Sequence, residues 1–184
     1  MARKSILELI AQATADFADN VTGLITPAKL RNWAIDFLNA IAPAYGYLAL
    51  TGPLTQTFGL TPALVVFQTS TDSDPSQTTS AIPASTITRA EKGTSTINFS
   101  MDLETNNGRF ITFTLFKNGS PTPWRITGNG GGTGNPISVA LTAIDYADPA
   151  AVYDVRATAE IAGTSVILTN GVFLLAVDPV RSFT

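Results

Sequence analysis

Neither cysteine nor histidine occurs anywhere in this chain. The first absence excludes disulfides, thiolate metal sites and cysteine nucleophiles together, and it leaves the redox compartment open, because a chain without thiols is stable in any of them. The second removes the commonest general base near neutral pH and the commonest metal ligand, so a Ser-His-Asp hydrolase and an ordinary zinc enzyme are both excluded. Charge is scarce as well. Only 14% of the 184 residues are charged, and 11 basic against 14 acidic side chains leave a net charge of −3. With no basic patch, that balance argues against a partner held by phosphate neutralisation, and no nucleic acid is expected. Long apolar runs are missing too: nothing reaches the roughly 18 residues that a membrane span needs. Behind Arg3 and Lys4 the apolar stretch is broken by Glu8, Gln12 and Asp16, so it does not serve as a secretory h-region. The expectation is a soluble protein with no membrane partner and no export signal.

What is present is a 45% hydrophobic chain, long enough for one domain with a real core plus an appendage. The appendage comes first. Ser5 and Glu8 have capping-box spacing, and Ile6, Ile10, Ala13 and Phe17 step 4-3-4, which predicts a helix over residues 5–19. In "ITPAKLRNWAIDFLNAI", residues 25–41, Thr26 is placed to cap a second helix and Pro27 to occupy its first position. Ile25 is placed to staple onto Leu30, and Leu30, Ala34, Phe37 and Ile41 again step 4-3-4. Both stripes are close to the 3.5-residue repeat that packs helices side by side or around a symmetry axis. A hairpin folded back on its own domain satisfies the same pattern, so the periodicity leaves both arrangements open.

Pro43 stops the second helix, and the Pro- and Gly-rich "APAYGYLALTGPLTQTFGLTP" reads as an irregular connection, with the linker proper at 51–63. From about Leu64 the period changes to two. Ile97, Phe99, Met101 and Leu103 alternate with polar residues, as do Ile111, Phe113 and Leu115, whose strand also carries Phe110 and Phe116 on its second face and so is expected to be covered on both sides. Asn107-Gly108, Asn118-Gly119 and Asn170-Gly171 each stand between apolar runs, where such pairs favour tight hairpin turns. The prediction is an antiparallel sandwich or jelly roll over 64–184, behind a helical arm over 1–50. The Ser/Thr/Asp-rich "QTSTDSDPSQTTSAIPAST" is expected as a long surface connection. "TGNGGGTGN", residues 127–135, is a loop rather than a phosphate cradle, since it lacks the Gly-Lys-Ser/Thr ending and leads into a strand.

Candidate chemistry is thin. Asp72 with Asp74, and Asp145 with Asp148, are close carboxylate pairs in turn-like surroundings, but neither carries the glycine and final glutamate of an EF-hand loop, and solvated turn carboxylates are the simpler reading. No catalytic residue, cofactor site or metal site is assigned. Trp33, Tyr45, Tyr47 and Trp124 are read mainly as packing residues, Trp33 widening the apolar stripe of the second helix and the tyrosines pinning the connection. Trp124, after a turn in "SPTPWRI", is the aromatic best placed to meet a receptor.

The order "STINFSMDLETNNGRFITFTLFKNG", a Gly-rich loop, "PISVALTAIDYADPAAVYDVRATAE" and a final "VFLLAV" resembles the C1q/TNF-like jelly roll over roughly residues 60–179, with Lys117-Asn118-Gly119, Asp145 to Asp148 and Phe173 to Leu175 at the matching places. "GLITPAKLRNWAIDFLNAI" is similar to a segment near the start of bacteriophage fibre, baseplate and head-decoration proteins. Together the resemblances imply a small, non-enzymatic virion protein that forms a homotrimer, docks on capsid or tail proteins and resides in the virion after assembly in the host cytoplasm. Ile6, Ile10, Phe17, Leu30, Trp33, Phe37 and Ile41 would form its docking or oligomer seam. The alternative is a tail or baseplate receptor-binding protein, adhesin- or lectin-like, that reads a host surface glycan.

Overall fold

A computed structural model describes residues 6–17, 26–41, 44–73, 75, 78–90 and 93–177. Two helices precede twelve strands: α1 (Ile6–Phe17), α2 (Pro27–Ile41), β1 (Ala44–Ala49), β2 (Leu54–Phe58), β3 (Ala63–Leu64), β4 (Thr69–Asp72), β5 (Thr78–Ala81), β6 (Thr86–Arg89), β7 (Gly93–Thr105), β8 (Phe110–Lys117), β9 (Ser120–Asn129), β10 (Ile137–Ala147), β11 (Val152–Ala159) and β12 (Thr164–Val177). Thr26 caps α2 as its position predicts, its hydroxyl accepting the Lys29 N–H at 3.2 Å. Ser5 and Ile25, the other expected start signals, lie outside the described residues.

The strands form two antiparallel six-stranded sheets. Sheet A runs β10-β7-β12-β1-β4, with β2 also on β12; sheet B runs β5-β6-β11-β8-β9, with β3 also on β11. Alternation drives their stacking: Ile97, Phe99, Met101 and Leu103 of β7 are buried against Ile111, Phe113 and Leu115 of β8, and the Phe99 and Phe113 rings meet at 5.1 Å between the sheets. The expected mainly β, antiparallel jelly-roll sandwich behind an N-terminal helix pair is what the chain adopts.

Several local expectations are corrected. The residues read as an irregular connection and as a linker at 51–63 carry strands: β1 lies inside sheet A between β12 and β4, and β2 pairs with the start of β12. The helical part therefore ends at Ile41, not near residue 50. The glycine that suggested a break, Gly46, is instead a close-approach residue. A Cβ there would lie 2.6 Å from Cγ2 of Ile87 and 2.9 Å from Oγ of Ser80, so only glycine lets β1 pass over β5 and β6. The Ser/Thr/Asp-rich segment holds β4 and β5 and ends on the first residue of β6, and β4 and β5 are joined across the sandwich edge by Asp72, which accepts the Ser80 N–H at 2.9 Å and its hydroxyl at 2.7 Å. On β8, Phe116 is buried on the outer side as expected, but Phe110 is 48% exposed.

Of the Asn-Gly pairs only Asn118-Gly119 makes a hairpin, with φ of 52° and 76°. Asn107-Gly108 crosses from sheet A to sheet B. Asn170-Gly171 sits inside β12 as a bulge between Thr169 and Val172, where the partner on one side changes from β2 to β1. The run 127–135 is partly strand: β9 reaches Asn129, and the turn after it is held by Gly134 donating its N–H to Oε1 of Glu104 at 2.8 Å.

Replacing Gly46 by alanine is expected to cost about 1–3 kcal/mol through overpacking and to lower the melting temperature by several degrees, as read by thermal circular dichroism. An unchanged melting temperature would show that β1 and β6 separate freely.

Candidate interaction surfaces

A strand between two sheets buries one side and must place its other side somewhere. In sheet A the outward residues fall into rows: Thr142, Asn98, Leu174, Tyr47 and Thr71; then Ile144, Thr96, Ala176 and Tyr45; and, on the other flank, Ala140, Ser100, Val172, Ala49 and Thr69. Tyr146 opposite Thr94 extends the set. None of these side chains is charged. Ile144 and Tyr146 are 65% and 64% exposed, and Tyr45 is 41% exposed. Five strands and three rows span about 500 Å², in which apolar and aromatic side chains alternate with the uncharged polar residues Thr142, Asn98, Thr71, Thr96, Ser100 and Thr69. The signal was in the sequence: in "VFLLAV" and "AIDYA" both alternating sets contain apolar residues, so both faces of those strands are greasy.

The outer face of sheet B is built differently. Arg156 lies over the Phe116 ring, 4.3 Å from its centre, and donates to both oxygens of Asp154 at 2.7 and 3.2 Å. The hydrogen bond from Arg156 to Asp154, reinforced by the carboxylate's charge and opposed by burial, raises the guanidinium pKa further. Exposed Arg125 stands opposite Thr114, and Arg109 faces Glu160 at 3.9 Å. One face is dressed for water and the other is not.

The arm is the second surface. The helices pack on each other, and Leu9 is 2% exposed between them, whereas its neighbour Ile10 is 57% exposed. Leu30, Ile35 and Phe37 are also exposed, at 53%, 47% and 38%. Trp33 is half-buried and stacks on Phe37 with ring centres 5.5 Å apart; with Leu9, Ile10, Ala13 and Thr14 they line an apolar cleft of about 180 Å³. Of the expected seam, Ile10, Leu30, Trp33 and Phe37 are thus visible on the helix pair, while the side chains of Ile6, Phe17 and Ile41 lie outside the described residues. Leu9 belongs to the contact and is absent from the 4-3-4 stripe, because the partner helix meets α1 on the neighbouring face.

Trp124 follows the Asn118-Gly119 turn. It lies within β9, half-buried, on the side that packs against the core. Asp145 is engaged as well: Lys117 Nζ donates to its Oδ2 at 2.7 Å, and the buried Tyr153 hydroxyl donates to the same atom. Burial pushes the Asp145 carboxyl up, but the Lys117 and Tyr153 hydrogen bonds and the Lys117 charge outweigh it, and the group sits below its ordinary range. Burial, then the Asp145 hydrogen bond and charge, push the Tyr153 phenol well up against the opposing charge of Arg89. Arg89 itself is fully buried and donates to the Gly93 carbonyl at 2.6 Å and to Ser95. Among the described residues no group of acidic side chains is arranged to hold a metal ion.

No protein-family model matches this sequence, and no curated protein matches it either. Solved structures do. Murine APRIL at pH 8.0 superposes with a TM-score of 0.54 at 10% identity, over 73% of this chain and 98% of that one. Eiger TNF from S. frugiperda superposes with a TM-score of 0.50 at 15% identity, over 77% of this chain and 96% of that one. At such identities the likeness establishes the fold, a TNF-like jelly roll.

A depressed native pKa stabilises the fold above the unfolded carboxylate pKa, and that contribution disappears as pH falls through the native value. Asp145→Asn is therefore expected to melt several degrees below the parent at pH 7, with the gap closing below about pH 4. A gap that stays constant from pH 7 to pH 2 would show that the ionised carboxylate contributes nothing.

Proposed function

We propose that the chain is a structural component of a bacteriophage particle, a homotrimeric head-fibre or decoration protein. Its sandwiches meet around a threefold axis through the outer face of sheet A, and its helical arm docks on another virion protein. The observation that carries the assembly is the set of uncharged rows on the outer face of sheet A that bear Tyr45, Ile144, Tyr146 and Leu174. Each 100 Å² of apolar area withdrawn from water contributes on the order of 2.5 kcal/mol before association costs. A closed ring lets every copy cover this face with no open end, which the charged outer face of sheet B does not permit at comparable desolvation cost.

The phage assignment is supported by the similarity of residues 23–41 to virion attachment segments, and by the apolar side chains Ile10, Leu30, Ile35 and Phe37 that the helix pair leaves exposed. No enzymatic role and no cofactor form part of the proposal. The alternative, a tail or baseplate module reading a host glycan, rests on Trp124; its half-buried ring, packed on the core, offers no open stacking platform, so the assembly reading stands first.

Light scattering at micromolar concentration is expected to report three times the 19.3 kDa protomer. Ile144→Glu or Leu174→Lys is expected to shift that mass to one protomer while the β-type circular dichroism is retained. A stable wild-type monomer would overturn the assembly.

The arm is tested separately. Leu30→Asp combined with Phe37→Asp is expected to keep the trimer and to weaken co-sedimentation with particles lacking the protein by at least about tenfold, the loss from removing two apolar anchors. Undiminished co-sedimentation would remove the arm from docking.

A further inference from the structure

Two crossovers close the end of the sandwich opposite the one where β1 begins. One, residues 106–109, joins β7 to β8; the other, residues 160–163, joins β11 to β12. Since β12 runs 14 residues from this end to the end where β1 begins, the two ends are about 45 Å apart. Between the crossovers is a cleft of about 250 Å³ lined by Asn106, Asn107, Arg109, Ile161, Thr164 and Ser165.

Its walls are tied together. Arg109 donates its N–H to the Thr105 hydroxyl at 2.8 Å, and its carbonyl accepts the Gly130 N–H at 2.8 Å. Thr164 donates its hydroxyl to the Ile161 carbonyl at 2.7 Å, and Glu160 N–H reaches the Phe110 carbonyl at 3.2 Å. The lining groups are less engaged than the walls. The Arg109 guanidinium has only Glu160 beside it, at 3.9 Å, beyond hydrogen-bond reach. The amides of Asn106 and Asn107 and the hydroxyl of Ser165 make no hydrogen bond to the described residues, and Ile161 stands 45% exposed next to them.

Each feature selects a chemistry. A planar fork of N–H donors fits a carboxylate through paired hydrogen bonds. Neighbouring amides, each with donors and an acceptor, fit vicinal hydroxyls. An exposed isoleucine fits the C–H face of a ring. The volume lies below the roughly 300–1,000 Å³ of pockets for drug-sized ligands and suits one sugar ring. A lone cation with a carboxylate beside it suits one negative charge better than the two of a phosphate ester. The geometry points to a binding site for an acidic monosaccharide unit, a uronate or similar carboxylated sugar, with Arg109 on the carboxylate and Asn106 and Asn107 on the hydroxyls. This goes beyond the assembly reading and does not depend on it, because one chain supplies the whole cleft.

The test is a titration of the full-length, isotope-labelled protein, followed by amide chemical shifts, with methyl β-D-glucuronide, methyl β-D-glucoside and sodium acetate in parallel. The glucuronide is expected to move the amides of Asn107, Gly108, Arg109, Gly163 and Thr164, with millimolar affinity. Arg109→Gln should weaken it by about tenfold, the loss of one charge-assisted pair. Glu160→Gln, which keeps an acceptor for the Phe110 N–H but releases the guanidinium, should tighten it several-fold. Glucoside binding equal to glucuronide binding, acetate binding equal to glucuronide binding, or no shift at these amides up to tens of millimolar would each overturn the site. A monomeric protein that still binds glucuronide here would sink the assembly and leave the site standing.

Discussion

The rest of the molecule depends on the two-sidedness of β12. It is the longest strand, it has β7 along one edge and β2 followed by β1 along the other, and every second residue points into the sandwich. Val166, Leu168, Phe173, Leu175 and Val177 are thereby committed to the core, where each is essentially inaccessible. The pleat then forces Val172, Leu174 and Ala176 outward, with no choice left to the backbone. The Asn170-Gly171 bulge keeps this arrangement while the partner strand changes. Asn170 takes a left-handed φ of 49°, and a Cβ on Gly171 would meet Met101 at 2.5 Å, so the bulge is held from the core side. Among the described residues the inner side of β12 is sealed in the core, while Val172, Leu174 and Ala176 on the outer side keep part of their surface accessible.

Charge follows the same division. The ionic contacts of the sandwich collect on the outer face of sheet B and at the two ends: Arg156 with Asp154 on the face, Arg109 with Glu160 at the end away from the arm, Lys117 with Asp145 at the end near it. Arg89 is the exception, placed inside with its guanidinium held by the Gly93 carbonyl and Ser95. Burying an arginine is expensive, and its hydrogen bonds offset the cost only when the geometry is fixed. That ties the entrance of β7 to the end of β6, near the place where β1 follows the arm.

Much of this could be read from residue order alone. The long strands β7, β8 and β11 declare themselves by alternation, β12 by its apolar runs, and the helices by capping chemistry and a 4-3-4 step, because burial is the dominant local term in each. The short strands were illegible for an equally physical reason. β4 and β5 carry Thr and Ser on both faces and are held by pairing and by Asp72, and β6, four residues long, buries one apolar side chain, Ile87, so no apolar period marks them. β1 was hidden by glycine and tyrosine: Gly46 looks like a breaker until Ile87 and Ser80 are seen pressing on it. Asn-Gly pairs signal positive φ, and three different structures use it here, a hairpin, a crossover and a bulge. The arm stripe says which residues are apolar and not from which side the partner helix arrives, so the buried contact at Leu9 is not read from it. The cleft at the far end was out of reach, because Asn106 and Ser165 are 59 residues apart and come together only through the crossovers.

The two ends of the sandwich differ in a way that bears on how such a module is used. The arm exposes Ile10, Leu30, Ile35 and Phe37 among polar and charged neighbours, apolar anchors that suit burial against a protein of matching shape. The far end carries amides, hydroxyls and one loosely paired cation, a surface that keeps its water until a polar ligand replaces it. The uncharged rows of sheet A's outer face lie toward the end where β1 begins, and Asp102 and Glu104 follow on the same face toward the cleft. A copy that covered this face against its neighbours would stand its long axis along the symmetry axis, with its arms gathered at one end and its polar clefts at the other. In that arrangement several clefts face the same direction. A weak contact at each becomes a strong one when they engage together, because the second and third contacts form at the high local concentration set by the first. Sites of millimolar affinity would be adequate on such an assembly and too weak on a single copy.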